Sequence, residues 1–215
     1  MALAGLNDLF TENLDQLLLT GGFFAASNDE LLDVLENCAE TQFELMSYAW
    51  CEIRRRAKTP KIGRAERICD DRELTPIPWL ADARKALDVL SAPTGKKHTC
   101  STYVILRDGY TDQNGYFGLY VGVTSKSPEA RFREHTSPGH RLAAKGLPEH
   151  GICLLRTLMH PFVKVPAREK LHYETALHLA LSLIVPKVSG DIRNDYLTWL
   201  PEFQPRLMKA LDDQR

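Results

Sequence analysis

Two stretches of β-branched and aromatic residues, Thr102-Tyr-Val-Ile-Leu106 and Phe117-Gly-Leu-Tyr-Val-Gly-Val123, flank a segment, 108–115, that contains an Asp-Gly and an Asn-Gly dipeptide. Strand formers on either side of turn formers predict a β-hairpin, here with a loop longer than the tightest turns allow. A lone hairpin is marginal in water, so further elements must cover its apolar face. The residues that follow supply them. Ser127-Pro128-Glu129 offers an N-cap, a proline suited to the first helical position and an acid for the positive end of the helix dipole, which predicts a helix to about His135. A short helix over 140–145, a third strand over 151–158 and a long helix over 166–185, closed by Pro186, complete the order β-β-α-α-β-α. The expected fold class is α+β, a small mixed or antiparallel β-sheet flanked by helices.

The preceding part of the chain has a different period. Leu6, Leu9, Phe10, Leu14, Leu17 and Leu18 recur at helical spacings until Gly21-Gly22, a helix stop. Ser27 and Glu30 have the spacing of a capping box, and a longer apolar pattern follows it. That pattern runs through Leu31, Leu35, Cys38, Leu45, Met46 and Ile53 to Arg54-Arg55-Arg56. Cations there suit the end of a helix better than a nucleic-acid contact. Pro76 and Pro78 precede a further helix over 79–90. The turn-rich joint Ser91-Ala-Pro-Thr-Gly95-Lys-Lys97 marks a boundary. The expected organisation is a helical accessory region over 1–95, the α+β domain over 96–190 and a short helical tail over 191–215.

Charge divides along the same line. The net charge of −1 conceals 10 Lys and Arg against 16 Asp and Glu in 1–95, and 13 against 7 in 96–190. The basic part is the candidate for a polyanionic partner, whereas the acidic helices suit a protein partner or self-association. No apolar run is long enough to span a bilayer and no signal-peptide pattern opens the chain, so no membrane contact and a cytoplasmic location are expected. The five cysteines, at 38, 51, 69, 100 and 153, are odd in number and form no CxxC. That argues for free thiols in a reducing interior rather than for a disulfide framework or a zinc knuckle.

Within the basic part, chemistry-bearing residues fall in an ordered set. Tyr103 lies on the first strand, and Tyr120-Val-Gly122 with Val123-Thr124 on the second. Arg131 and His135 are four apart on the capped helix, hence on one face. Glu174 lies on the last long helix. Over residues 101–190 this set resembles the GIY-YIG nuclease superfamily, with Thr102-Tyr103-Val104 and Tyr120-Val121-Gly122 standing at its two triplets. The first triplet keeps its tyrosine but has Ser101 and Thr102 where the family has Gly and Ile. The tyrosines are 17 residues apart, and Pro186-Lys-Val-Ser189-Gly-Asp191 lacks the family's late Asn.

The resemblance implies a metal-dependent endonuclease that hydrolyses phosphodiesters, leaving a 5′-phosphate and a 3′-hydroxyl. The implied substrate is DNA, or RNA, and the implied metal is Mg²⁺ or Mn²⁺ on Glu174. It assigns Tyr103 to orienting or deprotonating the water with help from His135, and Tyr120 to the phosphate or the water. The residue chemistry is consistent with this. One carboxylate can hold Mg²⁺ when waters and phosphate oxygens complete the octahedron, and a guanidinium matches phosphate oxygens. Lys126, Arg133, His140, Arg141 and Lys145 could follow a nucleic-acid backbone. Gly122 permits close approach by a packing element or by a phosphate. Two other functions fit the same sequence: a non-cleaving nucleic-acid-binding domain, and an adaptor that works through the N-terminal helices.

Overall fold

A computed structural model describes residues 25–39, 42–56, 62–74, 76–88, 90, 99–107, 117–162 and 164–192. The chain divides into two compact units, residues 1–81 and 82–215. The helix expected over Leu6–Leu18, the joint at 91–97, the hairpin loop over 108–115 and most of the tail over 191–215 lie outside the described residues.

The first unit contains α1 (Asn28–Asn37), α2 (Phe43–Arg55) and α3 (Ile62–Asp71). The Ser27 capping box forms as expected: Glu30 N–H donates to Ser27 Oγ at 3.2 Å, and Ser27 N–H to Glu30 Oε2 at 2.7 Å. The long pattern through Leu31 and Ile53 is two helices rather than one. The backbone is extended at Cys38, where α1 ends. Arg72 holds this break open by donating to Leu35 O at 2.6 Å and to Cys38 O at 2.8 Å, so carbonyls freed at the helix end are satisfied from beyond α3. The last turn of α2 uses its cations locally. Arg56 pairs with Glu52 at 2.7 Å and donates to Asn28 Oδ1 at 2.9 Å, while Arg54 lies over the Trp50 ring. A fourth helix, α4 (Leu80–Leu87), buries Leu80, Ala83, Ala86 and Leu87.

The second unit is the α+β part. Strands β1 (Ser101–Arg107) and β2 (Gly118–Thr124) are antiparallel partners, with Tyr103 opposite Gly122 and Ile105 opposite Tyr120. Opposed residues of a ladder point to the same face, which places Tyr103, Ile105, Tyr120 and Gly122 on one side of the sheet. Helix α5 (Pro128–Thr136) starts as expected, with Ala130 N–H donating to Ser127 Oγ at 3.2 Å. A short α6 (Leu147–His150) leads into β3 (Gly151–Leu154), and α7 (Lys170–Ser182) packs along β2 and β1. The chain then forms a brief β4 (Val188–Ser189), parallel to β2. The sheet order is β3-β1-β2-β4, a mixed four-stranded sheet among the described residues.

Several boundaries differ from the expectation. Residues 140–145 are turns, and helix begins only after Gly146, whose φ of +77° breaks any continuous helix through it. The third strand stops at Leu154 and becomes a 3₁₀ turn, Arg156–Leu158. Helix α7 starts at Lys170 instead of Pro166, because residues 167–169 first form a turn closed by Glu169 N–H on Pro166 O at 3.1 Å. With only two residues next to Pro186, β4 is too short to leave a period in the sequence.

Candidate active site

The site is built outward from Tyr103, which is 1% exposed. Its ring lies across the opposite residue of β2. A Cβ on Gly122 would lie 2.9 Å from Tyr103 Cε1 and closer still to Cζ and Oη. The close approach that Gly122 permits is therefore made by Tyr103 itself. The Tyr120 ring, diagonal to Tyr103 on the ladder, stacks at a centroid distance of 6.2 Å with 30° between planes. His135, in the last turn of α5, closes the group at 5.6 Å from Tyr103 and 5.2 Å from Tyr120. Its Nε2 lies 2.6 Å from Tyr103 Oη.

Arg131, one turn earlier on α5, donates to Glu134 Oε2 at 3.1 Å, and its charge is felt at Tyr103. Burial opposes its charge, but these partners more than offset the penalty and hold it protonated. Glu134 also takes the Lys126 ammonium, and the two cations keep its carboxyl below the usual range. Arg133, His140, Arg141 and Lys145 are exposed around the end of α5 and the following loop.

Glu174 projects from α7 and is buried to 6% exposure. Burial, and next the charge of Asp191, push its pKa up to about 7, with Lys170 acting in the opposite direction. Tyr120 lies in the same field. Its pKa is raised by burial and also by Glu174 and Asp191, whereas Tyr103 and Arg131 lower it. Burial raises Tyr103 as well, and Tyr120 adds to that. His135 is moved the other way, down to about 4, by burial and then by the Arg131 charge. Tyr103, Tyr120 and His135 are thus in direct contact, Arg131 stands one turn before His135, and the Glu174 charge is felt at Tyr120.

Asp191 is the participant that sequence reasoning passed over, because that region was searched for an amide. Tyr120 pairs with Ser189, and Gly190 then turns with φ +138° over Val121 O, where a Cβ would clash. This brings an acid within electrostatic range of Glu174, and the Gly-Asp pair after Pro186 was its only trace in the sequence. His172 and His178 make no shared metal site with Glu174. No group of three or more His, Cys, Asp or Glu could hold a metal among the described residues. His178 is buried with Nδ1 at 3.3 Å from Ser182 Oγ. No helix among the described residues is long and apolar enough to cross a membrane.

Comparison with family models, with curated proteins and with solved structures finds no match to this chain.

Proposed function

We propose that the α+β unit is a metal-dependent endonuclease of GIY-YIG type acting on nucleic-acid phosphodiesters, DNA foremost. One observation carries the reading. Tyr103, Tyr120, Arg131, His135 and Glu174 come from β1, β2, α5 and α7, span 72 residues of chain, and the other four all come within contact or electrostatic range of Tyr120. Each of them alone has an ordinary structural role. Two phenols, a guanidinium, an imidazole and a buried carboxylate in mutual reach have a composition suited to a phosphate diester.

The donor set fits a divalent cation. A buried carboxyl raised to about 7 beside a second carboxylate is the electrostatic situation that a bound cation relieves. Glu174 would hold it, with Asp191 adjacent and water and phosphate oxygens completing the shell. When bound, Mg²⁺ or Mn²⁺ supplies Lewis acidity and neutralises charge on the phosphate. The chain's own groups do the rest. Arg131 places a fixed cation beside the reacting phosphorus. The Tyr103 and Tyr120 hydroxyls orient the attacking water and the phosphate oxygens. Water oxygen forms the new P–O bond and releases a proton to solvent, and the 3′ oxygen leaves with the bonding pair and takes a proton from solvent. Arg133, His140, Arg141 and Lys145 are exposed at the end of α5 and in the loop after it, and suit a backbone of phosphates.

The test is cleavage of supercoiled plasmid, single-stranded, branched and duplex DNA, and RNA, with Mg²⁺ or Mn²⁺ and with chelator. Wild type is expected to cut at least one of these in a metal-dependent way, and Glu174→Ala to lose that activity. Binding without cleavage, with Glu174→Ala equal to wild type, would replace this reading with that of a non-cleaving nucleic-acid-binding domain.

A further inference from the structure

The loop after α5 carries information about proton placement. Residues 137–146 fold back on the helix through Ser137 Oγ on Arg133 O at 2.5 Å, His140 N–H on Ser137 O at 3.2 Å and Ala143 N–H on His140 O at 2.9 Å. The loop ends at Gly146, whose φ is +77° and over which the Arg107 guanidinium lies, at 2.9 Å from where a Cβ would stand. Tied at both ends, the loop points one main-chain amide inward: Ala144 N lies 3.1 Å from His135 Nδ1.

A main-chain amide can only donate. Nδ1 of His135 must therefore present its lone pair, and a neutral imidazole then carries its single hydrogen on Nε2. That hydrogen faces Tyr103 Oη at 2.6 Å. With that donor on Oη, the phenol's own hydrogen points away from His135.

We infer that the Ala144 amide locks His135 as the Nε2–H tautomer, so that His135 is a hydrogen-bond donor to Tyr103 and not its base, and Tyr103 presents its hydroxyl hydrogen to the substrate. The part about substrate rests on the nuclease reading; the tautomer does not. Ala144 and His135 are positioning residues in this arrangement, and Tyr103 is the group that touches phosphate or water. The charged and titratable groups facing His135, namely Arg131, Glu134, Tyr103 and Tyr120, include none that would favour a second proton on the ring strongly enough to displace the Ala144 contact.

Two measurements test this. In the free protein, without metal or substrate, long-range ¹H–¹⁵N NMR of His135 between pH 6 and pH 9 is expected to show hydrogen on Nε2 and a bare Nδ1. Hydrogen on Nδ1, or on both nitrogens near neutral pH, would overturn the inference. In the cleavage assay, His135→Gln retains a donor but cannot take up a proton, whereas His135→Phe retains neither property. A positioning donor predicts that Gln keeps activity within about tenfold and leaves the pH profile unchanged, and that Phe loses about a hundredfold. Equal loss in both, with Gln folded as judged by its NMR spectrum, would make His135 a base. If the chain cuts nothing while the Nε2–H tautomer is observed, the nuclease reading fails and the tautomer lock stands.

Discussion

The phenol ring of Tyr103 fills the space that a side chain on its cross-strand partner Gly122 would occupy. The glycine is needed because the ring must cross β2 to reach His135. Gly122→Ala forces either the ring or the strand to move, and overpacking of this kind typically costs about 1–3 kcal/mol. Urea denaturation of the single variant should show that loss. Combined with Tyr103→Ala, the same substitution should cost almost nothing further. An additive pair would mean that the ring does not lie over Gly122.

Asp191 raises the pKa of Glu174, second only to burial. Asp191→Asn removes a negative charge and leaves a side chain of the same size. The Glu174 carboxyl, followed by ¹³C NMR, should then titrate below its present value of about 7. Divalent-ion affinity, read by calorimetry with Mn²⁺, should weaken in parallel. An unmoved titration would show that the two carboxylates do not sense each other.

The pH dependence of stability contains two opposing contributions. Glu174 rises from 4.5 to about 7 on folding, so the folded state holds a proton that the unfolded chain has released, and stability falls as pH rises through that window. His135 drops from 6.5 to about 4, so the unfolded chain holds the extra proton, and stability is lost as pH falls from 6.5 towards 4. Each contribution is on the order of 3 kcal/mol at most, at about 1.36 kcal/mol per unit. Burial lowers His178 as well, on the same side as His135, so metal-free wild type should gain stability only modestly between pH 4.5 and 6.5, and Glu174→Gln combined with His135→Gln isolates the His135 share. Glu174→Gln should expose the His135 slope, with stability climbing as pH rises to about 6.5. A flat profile in that variant would contradict a depressed His135.

Glu134 engages both Arg131 and Lys126. Glu134→Gln frees them for phosphate. Affinity for a labelled duplex, measured by anisotropy between 50 and 200 mM salt, should rise. The slope of log K against log salt should steepen by about one to two units, as each added phosphate contact contributes about 0.9. Cleavage should decline if Glu134 also aligns Arg131. Unchanged affinity and slope would place the nucleic acid away from this edge.

What was legible in the sequence was local. The caps at Ser27 and Ser127 act on amides three residues ahead, and the hairpin announced itself through strand formers around Asp-Gly and Asn-Gly. The mixed α+β character followed from the change of period. The break between α1 and α2 was not legible, because Arg72, more than 30 residues away, supplies the donors that stabilise it. Nor was β4, whose two residues are recruited by pairing with β2 rather than by their own propensity.

The residue types, their order and the periods that put Arg131 beside His135 on one helix face are written in the chain, since backbone sterics and capping operate over a few residues. Tertiary packing decided the remainder. It laid the Tyr103 ring over Gly122, set Asp191 beside Glu174, and turned the Ala144 amide onto His135. Burial, charge coupling and tautomer depend on what surrounds a group in space, and neighbours brought together across 72 residues leave no local mark.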